Sequence, residues 1–270
     1  MSHARISGTR GVALTRCDAG VSAPLHDCVI EEAAVALVYN GSTHAVMMAT
    51  PHELDDFALG FSLGEGIVAA AEELGIVEVV AREQGIVVEM TIPQARFDAL
   101  QLRQRHTLGV SACGLCGSES LSAALRSAPR VVAPTVDMAM IQAALQQFEV
   151  LQVINQATGA AHAAAWCDDA GLLLREDVGR HCAFDKLVGA LARSGRIGRE
   201  GIALVSSRAS YELVHKAATA GIGMLVAISA PTSAAIELAE RCGVCLVAFA
   251  RGAQMNVYTH HTRLTGCTAA

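Results

Sequence analysis

The chain has 270 residues, of which 52% are hydrophobic and 4% aromatic, and a formal net charge of −6. That length carries one large domain or two small ones around an aliphatic core, and the acidic balance argues against a general nucleic-acid binder, which would show a basic stripe. Nine cysteines, an odd number in a long chain, exclude a disulfide scaffold; no apolar stretch is long enough to span a bilayer, and with no hydrophobic segment opening the chain a reducing cytoplasm is expected.

Residues 1–28 show no period and are expected to form a loose arm. Two apolar runs, 31–39 and 43–48, flank Asn40-Gly41, the strongest short hairpin signal because both residues accept positive φ. Thr50-Pro51-His52-Glu53 reads as a helix opening, with Thr50 as cap, Pro51 in the first turn and Glu53 completing a capping box. Leu54, Phe57, Ala58 and Phe61 follow at helical spacing, and Gly64-Glu65-Gly66 ends the helix. Residues 76–81 and 86–92 predict a second hairpin stopped by Pro93, and 94–105 a helix that leads into a glycine-flanked cysteine pair. Thr135 predicts the cap of another helix running to Phe148. The boundary between two halves is placed at 128–134. Beyond it, strands at 162–167, 171–176, 202–206, 224–228 and 244–249 alternate with helices at 181–193, 210–220 and 233–241. Short apolar strands between helices predict a largely parallel α/β layer with helices on its faces.

The cysteine pair is Cys113-Gly114-Leu115-Cys116-Gly117, followed by a helix start at Ser118. Two thiolates at this spacing can share a metal, form a disulfide or pass a sulfur atom. A pair at a helix N-terminus also sits in the positive end of the dipole, which lowers a thiol pKa. A second pair, Cys242 and Cys245, lies between an apolar helix and an apolar strand and reads as core, as do Cys17, Cys28, Cys167, Cys182 and Cys267.

Three polar clusters fall at strand ends. Residues 175–186 include Arg175, Glu176, Asp177, Arg180, His181, Asp185 and Lys186, which is more ionisable groups than a turn needs. Ser206, Ser207, Arg208 and Ser210, after a strand and before a helix, make a phosphate cradle of hydroxyls, backbone N–H groups and a guanidinium. Phe249, Ala250, Arg251, Gly252, Ala253 and Gln254 follow the last long strand, and open α/β sheets bind ligands at the carboxyl ends of their strands. His181 and His215 lie beside these clusters, where either can contact an anion or serve as a structural residue. No GxxxxGK[ST] or GxGxxG loop is present, and no His-x-Glu precedes a Pro-Cys-x-x-Cys, so a zinc deaminase site is not encoded.

Together these strings resemble the formate dehydrogenase accessory sulfurtransferase family, the FdhD type. The resemblance rests on 50–61, 113–117, 175–189, 206–216 and the ending from Phe249 to His260, and it covers the chain from Asp27 to Leu264. It implies a protein that takes sulfur as a persulfide from a cysteine desulfurase and passes it to the molybdenum bis-guanine-dinucleotide cofactor of formate dehydrogenase. Cys113 matches the persulfide carrier, Cys116 its partner, and 249–254 the cofactor-contacting stretch. With them, Ser207, Arg208 and His181 are the expected cofactor-binding residues. The resemblance implies a homodimer; no resident metal is expected, and the charge balance and short apolar stretches predict no nucleic-acid or membrane partner. It also implies a fold, α/β (α+β overall), with a cytidine deaminase-like three-layer main domain at 131–270 and a smaller α+β domain built on hairpins at 29–130. Cys182 stands where the family usually has Asn, and Cys245 where an aliphatic residue is usual. The alternatives are a non-catalytic chaperone for the same cofactor and, more remotely, a zinc-binding module.

Overall fold

The structure is a computed structural model that describes residues 6–110 and 128–266. Cys113, Cys116, the helix start after them and Cys267 lie outside the described residues. The N-terminal stretch is not a loose arm. Strands β1 (Thr9–Asp18) and β2 (Val21–Ile30) form a ten-pair antiparallel ribbon. Ala19 and Gly20, with φ of 45° and 84°, make its turn. The ribbon is held by backbone bonds and buries little, so it leaves only a faint apolar period.

Both expected hairpins form. Strands β3 (Ala33–Tyr39) and β4 (Ser42–Ala49) turn at Asn40 and Gly41, whose φ values are 47° and 80°, as a type I′ turn requires. Strands β5 (Gly75–Arg82) and β6 (Gly85–Thr91) form the second. A parallel β3–β6 pairing joins them into one sheet, ordered β4-β3-β6-β5. Helix α1 (Leu54–Gly64) covers one face of it and places Phe57 and Phe61 on Val35, Leu37, Val88 and Met90. Its start corrects the expected cap. Glu53 holds the cap position at φ 53° with no side-chain capping bond, and Thr50 is instead buried, donating its N–H to Asp177 Oδ2 and accepting from Val178 N–H. Helix α2 (Gln94–Val110) follows Pro93 and adds Phe97 and Leu100 to this core.

The chain resumes at Ala128, with Val131 N–H bonded to Cys242 O at 2.7 Å. Strand β7 (Val136–Asp137) precedes helix α3 (Met138–Val150), whose cap is Asp137 rather than Thr135, because Asp137 Oδ1 accepts Ala139 N–H. A short helix α4 (Val153–Thr158), not foreseen, leads to the hairpin β8 (His162–Asp168) and β9 (Gly171–Asp177) and to helix α5 (Arg180–Arg193). Then come β10 (Ile202–Val205), α6 (Tyr211–Thr219), β11 (Met224–Ala227), α7 (Ser233–Cys242), β12 (Cys245–Arg251), β13 (Gln254–Val257) and β14 (Leu264–Thr265), which pairs with β7. The main sheet runs β13-β12-β11-β10-β8-β9. Only β10–β11 and β11–β12 are parallel, so the sheet is mixed rather than largely parallel. The hairpins β8–β9 and β12–β13 add antiparallel strands at both sides.

Strand alternation gives the sheet two apolar faces. Trp166, Val205, Leu225 and Leu246 meet α5, α6 and α7 through Phe184, Leu187, Leu213 and Leu238. Ala165, Leu204, Val226 and Val247 meet α3 through Ile141, Leu145 and Phe148. The result is three layers. The smaller sheet is attached through α1 and α5, which cross at two glycines. A Cβ on Gly60 would lie 1.7 Å from Asp185 O, and one on Gly189 would lie 1.9 Å from Asp56 O. Among the described residues no helix is long and apolar enough to cross a membrane.

Candidate functional site

Because β8 runs against both β9 and β10, the strands β9, β10, β11 and β12 all end at one edge of the main sheet, and β8 and β13 begin there. Across that edge lie Gln254, Arg251, Ser229, Ser206, His162 and Asp177. The two predicted clusters at the ends of β10 and β12 therefore do come together, with β11 between them.

Ser207 is buried and its hydroxyl donates to Arg208 O at 3.0 Å. Arg208 is exposed, and its side chain makes no hydrogen bond or ion pair with the described residues. Ser206 Oγ accepts Ala163 N–H at 2.9 Å and stands 3.4 Å from His162 Nδ1. Ser210 caps α6, its Oγ accepting Leu213 N–H at 3.4 Å. At the end of β12 a register shift between Ala248 and Arg251 turns the strand. Phe249 takes φ 51° and is 43% exposed, Ala250 is buried, and Arg251, Gly252, Ala253 and Gln254 are exposed. A non-glycine residue in the left-handed region is held there by its surroundings, here by Phe249 N–H bonding to Ser229 O and Arg251 Nε to Ile228 O. His181, in the first turn of α5, meets Glu212 of α6 at 2.6 Å. Burial pulls its pKa below the ordinary value, with Glu212 opposing. His162 is also lowered, by burial and then by Arg180.

The cluster 175–186 divides. Its first and last members tie the two sheets together. Arg175 bonds Asp56 of α1 at 2.8 Å, Glu176 accepts the N–H groups of Ile154 and Asn155, and Asp177 pairs with Lys186 at 2.7 Å with both side chains fully buried. Asp185 pairs with Lys216 at 2.7 Å, and burial raises its carboxyl to about 6 against the pull of that lysine. These locking roles left no sequence signal beyond the position of Asp185-Lys186 between the core residues Phe184 and Leu187. His162 was not singled out either. It stands alone in its stretch of sequence, and only the β8–β10 pairing brings it beside Ser206.

The thiols sort by depth. Cys182, Cys242 and Cys245 are buried. Burial pushes Cys182 to about 12, helped by Asp177 and Asp185, and Cys245 to about 11. Cys28 and Cys167 are half-buried, whereas Cys17 is exposed on the ribbon and is not a core residue. Clefts of about 560 and 470 Å³ are lined by other residues, the second by His52, Ile154, Leu172 and Glu176 among others.

The sequence matches the FdhD/NarQ family over residues 30–265. The chain belongs to the FdhD/NarQ family. It is 50% identical over 241 residues to the sulfur carrier protein FdhD of Cupriavidus necator, covering 88% of this chain and 84% of that one. To the sulfur carrier protein FdhD of Xanthomonas euvesicatoria it is 49% identical over 248 residues, 91% of this chain and 88% of the relative. A solved structure of a proposed formate dehydrogenase accessory protein from Desulfotalea psychrophila superposes with a TM-score of 0.74 at 22% identity, covering 95% of this chain and 99% of that one. That likeness shows that the mixed α/β fold with its separate sheets is shared by this FdhD/NarQ member and that protein.

Proposed function

We propose that this protein is a sulfur carrier in the maturation of formate dehydrogenase, with Cys113 as the carrying residue. The Cys113 thiolate attacks the terminal sulfur of a cysteine desulfurase persulfide. The donor's S–S bond breaks, the desulfurase leaves as a thiolate, and Cys113 holds the sulfur as a persulfide. Cys116 then attacks Cys113 Sγ. A Cys113–Cys116 disulfide forms, sulfide leaves toward the molybdenum bis-guanine-dinucleotide acceptor, and a cellular dithiol restores the pair. The acceptor lies along the edge of the main sheet. Arg208 and Arg251 meet its phosphates, Ser207 and the turn 249–254 shape the cradle, and His181 flanks it. The protein acts in the cytoplasm as a homodimer, and its main domain is of the cytidine deaminase-like kind.

The observation that carries this reading is the 48–50% identity, over about nine-tenths of the chain, to sulfur carrier proteins FdhD, in a chain that holds a glycine-flanked CxxC at 113–116. The gathering of two arginines and several small residues at one sheet edge supports the acceptor half. The test is intact-mass spectrometry after incubation with a cysteine desulfurase and cysteine. The expected result is a gain of one sulfur, removed by dithiothreitol and absent in Cys113→Ala. No gain, with guanine nucleotide still bound, overturns the carrier reading in favour of a cofactor escort.

A further inference from the structure

Among the described residues the ribbon β1–β2 bonds to no other strand. A lone two-stranded hairpin is marginally stable in water, yet this one extends over ten pairs. Successive side chains of a strand point to opposite faces, so the register sorts the ribbon into two sets. One face carries the rows Arg10 and Val29, Val12 and Asp27, Leu14 and Leu25, Arg16 and Ala23, and Asp18 and Val21. The other carries small and polar residues, including Ala13 with His26, Thr15 with Pro24 and Cys17 with Ser22. The first face is amphipathic, with a Leu14–Leu25 row at its centre and charges on both sides. Its outer rows are open to solvent, Val21 at 70%.

We propose that this face docks a second copy of the chain, ribbon on ribbon, about a two-fold axis that crosses the strands at the Leu14–Leu25 row. The inference names the surface for the homodimer of the proposed function, and rests on that reading. The charges select both the partner and the axis. Such an axis lays each row on the row equally far beyond the centre. Arg10 then faces Asp18 of the second copy, and the row of Val12 and Asp27 faces the row of Arg16 and Ala23. Arg10 and Asp18 pair directly, Arg16 and Asp27 meet diagonally across the facing rows because Arg16 lies over Val12 and Asp27 over Ala23, and Leu14 and Leu25 stack on themselves. Face-to-face sheets sit about 10 Å apart, within reach of arginine–aspartate pairs. An axis along the strands would instead lay each row on itself, so that Arg10 shares its row with the second copy's Arg10 and Asp27 with its Asp27, like charges with no opposite one. A membrane or nucleic acid would call for one sign of charge, whereas this face carries two arginines and two aspartates. Only a surface with the same alternation complements it, and a two-fold dimer supplies one by symmetry.

The test is sedimentation of the full chain across a concentration series, for the wild type, Arg16→Asp, Asp27→Arg and the double variant. Each variant is accompanied by a thermal melt and by sulfur loading of Cys113 as checks on folding. The expected result is a wild-type dimer whose Kd rises about tenfold or more in each single variant and returns to within about threefold of wild type in the double, since like charges brought together are strongly repelled. In a Cys17→Ser background, Leu14→Cys joins two copies through a disulfide between the substituted positions, located by peptide mapping, while Ala13→Cys on the opposite face does not. A wild-type dimer whose Kd moves in none of the variants overturns the ribbon surface and leaves the homodimer standing. A monomer at every concentration overturns both. A monomer whose ribbon face is protected from labelling overturns the proposal in favour of coverage by the chain's own residues.

Discussion

Lys186 has no exposed surface, and a buried ammonium persists only where anions and carbonyls replace its water. Asp177 lies 2.7 Å away, and the carbonyls of Thr50 and Glu176 accept at 3.1 and 3.4 Å. Thr50 and Lys186 are 136 positions apart, so no reading along the chain could pair them. The same holds for His162, whose pKa is lowered first by burial and then by Arg180, which favours the neutral imidazole in the fold. The unfolded chain protonates this histidine at its ordinary value near 6.5. The native state therefore binds fewer protons there, and acidification below about pH 6.5 favours unfolding. His162→Gln is expected to lose less stability than wild type between pH 7 and pH 5.5, read as a smaller fall in Tm. An equal or larger fall would show that His162 is not held neutral. Cys182 makes the opposite kind of statement. A thiol pushed to about 12 supplies almost no thiolate at neutral pH, and thiolate is what accepts sulfur. Cys182→Ala should leave sulfur loading unchanged and cost about 1 kcal/mol of stability, whereas loading lost with Cys182 would require an opening of this core.

The crossing of α1 and α5 is the joint between the two sheets, and it depends on the absence of two side chains. With a Cβ on Gly60 at 1.7 Å from Asp185 O, neither backbone can stay where it is. Gly60→Ala should cost about 3 kcal/mol or more by forcing the helices apart and should lower the urea midpoint accordingly. Gly11, where an added Cβ meets nothing within 4 Å, is the control, and Gly11→Ala should change stability by less than about 0.5 kcal/mol. A Gly60→Ala protein as stable as that control would mean that the crossing is looser than it stands. At this scale much was legible. Asn40-Gly41 announced its hairpin because only a few residues accept positive φ, and the alternation of apolar strands with helices announced the layers. The parallel β3–β6 link, the mixed order of the main sheet and the ribbon were not legible. Each depends on which strands pair, and local propensity does not encode that. The cap expected at Thr50 was misplaced by the same cause, because Thr50 is committed to Asp177 and Val178, whereas at the next helix Asp137 simply takes the cap from Thr135 by accepting Ala139 N–H.

In the proposed function, sulfur loading and delivery fall to different stretches of the chain. The segment that holds Cys113 and Cys116 leaves from α2, on the smaller sheet, and rejoins at Ala128 and Val131 against the end of α7, on the larger one. The candidate acceptor surface is at the carboxyl ends of β10, β11 and β12, and its residues drew notice in the sequence because they follow apolar strands directly. If loading and delivery use separate surfaces, they can be broken separately. Arg208 is the residue for this test, since it is exposed and donates to none of the described residues, so removing it leaves no partner stranded. A charge-assisted hydrogen bond contributes about 1.5–3 kcal/mol, which at 1.4 kcal/mol per decade is roughly a ten- to hundredfold change in affinity. Arg208→Ala is therefore expected to weaken binding of a guanine nucleoside diphosphate by about tenfold or more while the persulfide on Cys113 forms at the wild-type rate. Arg208→Lys, which keeps the charge but not the fork, should fall between them. Nucleotide titration by calorimetry and sulfur loading by intact mass, on the same preparations, read the two halves independently. Unchanged nucleotide affinity in Arg208→Ala would move the acceptor off this edge. A parallel loss of loading would mean that the two surfaces act as one.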